Sequence, residues 1–221
     1  MKNILLCILL ATGAFHAAGT ALAQDSRKTA VEIWNDAIEK AAKAGGFIKD
    51  YGESRVVHRG AKPEVILRGD QLTFNGQQLK IGQSIDAWIK VLPRERRCES
   101  GERSGSCVWD DLGLQAVLDF RNPGKVRAFY VFLRLPEMIL DTTFQPSKPF
   151  PGYLELDGFG IDAQTAFWEV RKASDPKRNL RCGLRDCARP KGAFGKGVGL
   201  YFDLSTLDET GKVSALQLAS Y

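Results

Sequence analysis

A chain of 221 residues with 31 Lys and Arg against 26 Asp and Glu carries +5 at neutral pH, and 44% of its residues are hydrophobic. That length supports one sizeable core or two small ones. The sequence has no HExxH, Walker or calcium-loop pattern, which removes the commonest metal and nucleotide chemistries.

The first 23 residues, MKNILLCILLATGAFHAAGTALA, place Lys2 ahead of an apolar run from Ile4 to Leu10 and end in Ala21-Leu22-Ala23. A positive start, a short apolar centre and an A-x-A site are the layout of a secretory signal peptide. The run is too short and interrupted for a membrane span, so a retained anchor is the weaker reading. Cys7 lacks the small residues that precede a lipidated cysteine. A mature chain starting near Gln24 and exported to a bacterial periplasm is expected. Losing Lys2 leaves 30 Lys and Arg against 26 Asp and Glu, hence +4, with one histidine, His58, and four cysteines, Cys98, Cys107, Cys182 and Cys187. No later apolar run approaches transmembrane length.

Residues 24–63 read as a helix and a connector. Thr29 and Glu32 have capping-box spacing, Gly45-Gly46 ends the run, and Val31, Trp34, Ile38 and Ala41 share one face, so residues 29–44 are a predicted packing helix. A strand is predicted at Val65 to Leu67. From there two stretches, 64–135 and 153–221, follow one plan. Each has a strand ending at a tight-turn dipeptide, Asn75-Gly76 or Asp157-Gly158, then a short helix around Trp88 or Trp168. Each continues with a cysteine pair, a Gly-Leu strand and a Gly-Lys-Val turn into a last strand. Ser84 is placed to cap the first helix and Asp162 the second. Val126 to Leu133 is apolar on both strand faces, which predicts a central strand. Residues 136–152 contain Pro136, Pro146, Pro149 and Pro151 and read as a stiff connector. The predicted class is α+β: two tandem helix-plus-antiparallel-sheet repeats, each with a disulfide hairpin, preceded by an N-terminal helix.

The cysteines CESGERSGSC and CGLRDC occupy the same place in the two stretches with different loop lengths. A recurrent position with variable spacing favours a staple across a hairpin, whereas a redox motif needs a short fixed spacing beside a helix start. Zinc would take all four cysteines, which an oxidising compartment disfavours. Closing such loops stabilises by ~2–3 kcal/mol each when no strain offsets it. Four cysteines allow three connectivities, and spacing alone leaves the others open.

The run LKIGQSIDAWIKVL, followed by Cys98, Cys107 and a GKV strand entry, resembles the repeat unit of the beta-lactamase-inhibitor-protein-like fold, and a single unit resembles the small outer-membrane assembly lipoproteins of the SmpA/OmlA type. The resemblance covers residues 72–133 and, more weakly, 153–220. It departs from the pattern in opening each unit with an extra strand and turn, LTFNG and LELDG. FNG, IG, W and WDDLGL also resemble an uncharacterised family of exported bacterial domains, which implies no activity. The first resemblance implies a protein-binding surface on the exposed sheet face and its hairpin loops; fold alone does not set function.

Catalytic constellations are sparse. His58 stands in RVVHRG without a recognisable nucleophile setting and reads as a connector histidine. Asp110-Asp111 are adjacent, so on a strand they point to opposite faces, and Asp-Asp-Leu-Gly forms an ordinary turn. GKGVG, residues 195–199, lacks the strand-then-helix context of a phosphate cradle and reads as a hairpin approach. Neither a catalytic residue nor a cofactor is expected. Charge is more informative. Residues 174–197 hold Lys177, Arg178, Arg181, Arg185, Arg189, Lys191 and Lys196 against Asp175 and Asp186, a surplus of five. A concentrated positive loop attracts an acidic partner and speeds its association, and a solvated loop is the plain alternative. Arg178, Arg181, Arg185, Arg189 and Lys191 are the candidate partner-binding residues. Nucleic acid is disfavoured because no aromatics interleave the arginines.

These readings converge on a non-enzymatic periplasmic protein that neutralises an acidic protein partner, in its most concrete form an immunity protein against a secreted antibacterial toxin. The alternatives are an envelope accessory binding outer-membrane machinery or an acidic envelope polymer, and a glycan hydrolase using Asp110 or Asp111.

Overall fold

Asn75-Gly76 and Asp157-Gly158 close tight turns in which both central residues have positive φ, 49° and 82° in the first and 48° and 83° in the second. That is the backbone a two-residue hairpin requires. The protein is described by a computed structural model over residues 51–60, 62–100, 105–135, 144–173, 180–183, 186–189, 196–202 and 209–220. The helix predicted over residues 29–44 lies outside the described residues.

In chain order the elements are β1 (Glu64–Arg68), β2 (Gln71–Phe74), β3 (Gln77–Leu79), α1 (Ile85–Ile89), β4 (Arg97–Ser100), β5 (Gly105–Trp109), β6 (Leu114–Leu118), β7 (Val126–Phe132), β8 (Tyr153–Leu156), β9 (Phe159–Ile161), α2 (Phe167–Ala173), β10 (Arg181–Cys182), β11 (Asp186–Arg189), β12 (Lys196–Phe202) and β13 (Val213–Ser220). A 3-10 turn, Asp110–Leu112, joins β5 to β6. The class is mixed α+β, rich in strand, with two sheets and few helices among the described residues.

The strands of the two stretches do not form separate sheets. A five-stranded sheet runs β3-β2-β1-β8-β9, and an eight-stranded sheet runs β10-β11-β12-β13-β7-β6-β5-β4. The joins are β1 with β8, which is parallel, and β13 with β7, which is antiparallel. β1 is held from both sides. The Glu64 amide donates to Asn75 Oδ1 (2.9 Å) and the Gly69 amide to Asp157 Oδ1 (2.7 Å), so the two turn residues finish opposite ends of this strand.

Period-two alternation builds one core between the sheets. Leu200, Leu216, Val131 and Leu114 form a cross-strand row on the inner face of the larger sheet, all fully buried. Val65, Leu67, Leu72, Leu154 and Ile161 of the smaller sheet belong to the same cluster. Trp88 of α1 lies between, its ring 5.1 Å from Phe129 and its indole N–H donating to the Lys80 carbonyl. β7 is central, as its sequence predicts.

Both helices start in the same hydrogen-bond frame. The Ile85 amide donates to the Gly124 carbonyl (2.7 Å), and Phe167 to Gly211 (2.8 Å); Val126 donates to Gln83 and Val213 to Thr165. In this frame Trp88 corresponds to Val170, and both are fully buried. Trp168 is not the counterpart of Trp88; it is half-buried, two positions earlier. Ser84 caps α1, accepting from Ala87 N. Asp162 does not cap α2: its carboxylate accepts from Gln164 N and Thr165 Oγ1 in the turn ahead of the helix. Glu169 reaches back instead to accept from Ala166 N (2.7 Å), the return half of a capping box. GKGVG is also not merely a hairpin approach, because β12 starts at Lys196.

Candidate binding surface

Both cysteine pairs are disulfides, Cys98–Cys107 and Cys182–Cys187. Each joins directly opposed residues, β4 to β5 and β10 to β11. Since β4 and β10 are the two edges of the eight-stranded sheet, the bonds close its opposite ends. Edge strands are the weakest part of a sheet and the most prone to unwanted pairing. All four described cysteines are consumed, so none can serve as a thiolate ligand or redox pair in this state.

Of the basic segment, the β10–β11 hairpin carries Arg181 and Arg189, and Lys196 opens β12. Arg178, Arg185 and Lys191 lie outside the described residues. Arg181 and Arg189 are described, and their settings differ. Arg189 is turned inward: its Nη1 donates to Asp157 Oδ2 (2.7 Å) and its Nη2 to the Gly69 carbonyl (2.6 Å). Its side chain is 15% exposed and that of Asp157 17%. Arg181 is exposed. Parity explains the split. Cys187 and Arg189 are two apart on β11 and share a face, and Cys187 is fully buried in the core. Arg181 precedes Cys182 by one and faces the other way.

Arg171 of α2 holds the hairpin from the helix side. Its Nη2 donates to the Gly183 carbonyl (3.1 Å), its Nη1 pairs with Glu209, and its guanidinium lies 4.6 Å from the Phe167 ring centre. The Gly183 amide donates to the Asp186 carbonyl (2.8 Å), closing the turn inside the disulfide. The hairpin is therefore fixed by a covalent bond, a turn hydrogen bond and two arginine anchors.

On the outer face of the same sheet a polar ladder crosses three strands. The Tyr201 hydroxyl donates to Gln217 Oε1 (2.5 Å), and Gln217 Nε2 donates to the Tyr130 hydroxyl (2.5 Å). Tyr130 stacks on Phe132, with ring centres 5.8 Å apart. Tyr201 is 43% exposed, while Gln217 is buried. Tyr201 was not singled out by sequence. The alternation in GLYFDL carries the signal, because Leu200 is fully buried and its neighbour must face outward.

Both acidic residues considered for catalysis are engaged by neighbouring groups. Arg97 Nε donates to Asp110 Oδ2 (2.8 Å), and the Ser147 amide donates to Asp110 Oδ1 (2.8 Å). Burial pushes the Asp110 carboxyl up, but the Arg97 guanidinium and the Ser147 amide outweigh it and hold it below the usual aspartate range. Asp111 pairs with Lys148 (2.6 Å). Asp110 thus pins the segment after residue 143 onto the β5–β6 turn, with Asp111 adding an exposed ion pair. Asp162 is likewise lowered: burial raises it, and the hydrogen bonds from Arg55, Thr165 and Gln164 prevail. His58 is exposed on the segment ahead of β1. Among the described residues no group of three or more His, Cys, Asp or Glu is placed to hold a metal ion, and no helix is long and apolar enough to cross a membrane.

Comparison with known proteins adds one match. The family model described as a domain of unknown function, DUF7738, matches residues 64–171, a little under half of the 221 residues. The match starts at the first residue of β1 and stops inside α2. It takes in the whole five-stranded sheet but only the β4–β7 half of the eight-stranded one. No curated protein and no solved structure matches the chain.

Proposed function

We propose that this protein is a non-enzymatic binding protein of the bacterial periplasm, exported by residues 1–23, that neutralises another protein by presenting a rigid basic hairpin to an acidic surface. The observation that carries this reading is the anchoring of β10–β11. Its disulfide braces the hairpin internally and Arg171 and Arg189 tie it to the body, while Arg181 stays in solvent. A projection that is ordered before binding loses less entropy on association, and its surplus of positive charge steers an acidic partner toward it.

The architecture supports a duplicated unit behind this surface. The strand order is mirrored about the centre of each sheet, the disulfides close opposite edges, and the two helix starts share one hydrogen-bond frame. Two disulfides suit an oxidising compartment. In its concrete form the protein is an immunity protein, protecting its cell from an antibacterial effector delivered to the periplasm.

The test is capture with the exported protein from a lysate of its own organism, followed by co-expression. One secreted protein recovered in stoichiometric amount, toxic in the periplasm and harmless beside this chain, is the expected result. Recovery of outer-membrane assembly proteins, with an envelope-stress phenotype on deletion and no toxin, would replace it with the accessory role.

A further inference from the structure

The outer face at the β10–β12 end brings a second group beside the basic hairpin. Arg181 is directly opposite Ala188, and Ala188 is opposite Gly199. Directly opposed residues share a face, so Arg181 projects outward in one row with Ala188 and Gly199. Tyr201 is two residues beyond Gly199 on β12 and faces the same way. Its ring lies over the bare Gly199 backbone, where a Cβ would stand 3.5 Å from Tyr201 Cε2. Its hydroxyl is held by Gln217, which is held in turn by Tyr130. Tyr201 is thus an exposed aromatic in a fixed orientation, set two strand spacings across and two residues along from the exposed Arg181, about 12 Å between backbone positions, over small side chains. Asp186, also exposed, is directly opposite Tyr201.

We infer that Arg181 and Tyr201 form the contact patch of this protein, and that it takes a segment of an acidic protein partner in which a carboxylate and an apolar or aromatic side chain are presented together. This rests on the reading of the protein as a binder of acidic partners. The guanidinium fork pairs with a carboxylate through two parallel hydrogen bonds. The tyrosine ring adds rigid apolar area at small entropic cost, and arginine with tyrosine is the composition of interface hot spots. Asp186 sets the polarity. It repels a carboxylate placed over Tyr201, so the acid is directed to the Arg181 end and the apolar group to the ring.

The experiment is an amide-shift titration of the exported, isotope-labelled protein. The probes are a short peptide with one glutamate and one phenylalanine two positions apart, and its glutamine counterpart. The glutamate peptide is expected to shift Arg181, Gly199 and Tyr201, and the glutamine peptide to bind about fivefold more weakly, as does the protein with Arg181→Gln. Tyr201→Phe keeps the ring and retains binding; Tyr201→Leu loses it with the rest of the spectrum unchanged. Shifts that map to another face would overturn this assignment and leave the acidic-partner reading standing. Absence of any shift with either peptide would also overturn it, while co-purification decides the broader reading independently.

Discussion

Arg189 and Asp157 form an ion pair that ties the edge hairpin of the eight-stranded sheet to a tight turn of the five-stranded one. Nη1 and Oδ2 are 2.7 Å apart, and both side chains are largely shielded from solvent. Asp157 stands at positive φ in its turn and uses its other oxygen to accept from the Gly69 amide. One carboxylate therefore closes a turn, finishes β1 and anchors β11. Arg189→Ala is expected to cost about 3 kcal/mol in urea denaturation, since the aspartate is left shielded and unpaired. Arg181→Ala, in solvent eight residues earlier, should stay within about 0.5 kcal/mol of the parent. Equal effects would mean that the pair does not anchor the hairpin.

Gly113 follows the Asp-Asp-Leu turn with φ of 60°, and a Cβ there would lie 2.2 Å from the Phe150 amide nitrogen. Neither the left-handed backbone nor the contact with main chain can relax cheaply. Gly113→Ala should destabilise by at least about 2 kcal/mol. Gly124→Ala, at φ of 79° with nothing within 4 Å of the added carbon, should lose only about 1 kcal/mol. Thermal unfolding of the two variants side by side separates the steric part from the conformational part.

Acid sensitivity should run through Asp110. Its carboxyl is held below the ordinary aspartate range by Arg97 and Ser147 against the opposing effect of burial. A depressed folded-state pKa contributes stability that is present above the unfolded value, near ~4, and lost as pH falls through the folded value. Asp110→Asn should therefore lower stability at neutral pH and flatten the slope of stability against pH below ~4. A variant with the parent's full acid slope would show that other carboxylates set it.

Removing Cys98–Cys107 by paired alanines should cost roughly 2–3 kcal/mol. Because β4 is an edge strand, the loss is expected to be local. Hydrogen exchange should quicken first in β4 and β5 while β7 and β13 keep their protection. The same change at Cys182–Cys187 should release β10 and β11 and weaken capture of an acidic partner as well. Uniform acceleration over the whole sheet would contradict the local role.

Much of the fold is legible in the residues because its signals are short-range. Asn75-Gly76 and Asp157-Gly158 specify their turns through the backbone that glycine and Asn or Asp tolerate, and Ser84 caps α1 from its own neighbourhood. The cysteine staples were legible from their recurrence. What stayed hidden depends on partners far along the chain. The pairing of β1 with β8 joins residues 89 apart, as Glu64 with Tyr153, and no local pattern encodes it. A short helix around each tryptophan is legible locally, but which residue of α2 takes the place of Trp88 is not. The hydrogen-bond frame that aligns Trp88 with Val170 comes from Gly124 and Gly211, well outside either helix.

The candidate surface divides along the same line. Charge identified the β10–β11 segment, since counting needs no geometry, but it treated every arginine there alike. Alternation against Cys187 was enough to turn Arg189 inward and Arg181 outward. The identity of the group waiting for Arg189 was not in the local sequence.

The sequence by itself determined the α+β class, the turns, the central place of β7 and that the cysteines form staples, because propensity, parity and spacing act within a few residues; which cysteine joins which came from the structure. Only the tertiary structure decided that the two halves share their sheets, that the disulfides close opposite edges, and that Tyr201 and Arg181 share an outer face. Those facts arise from strand pairing over long separations, where burial of one common core selects among registers that the local sequence leaves equal.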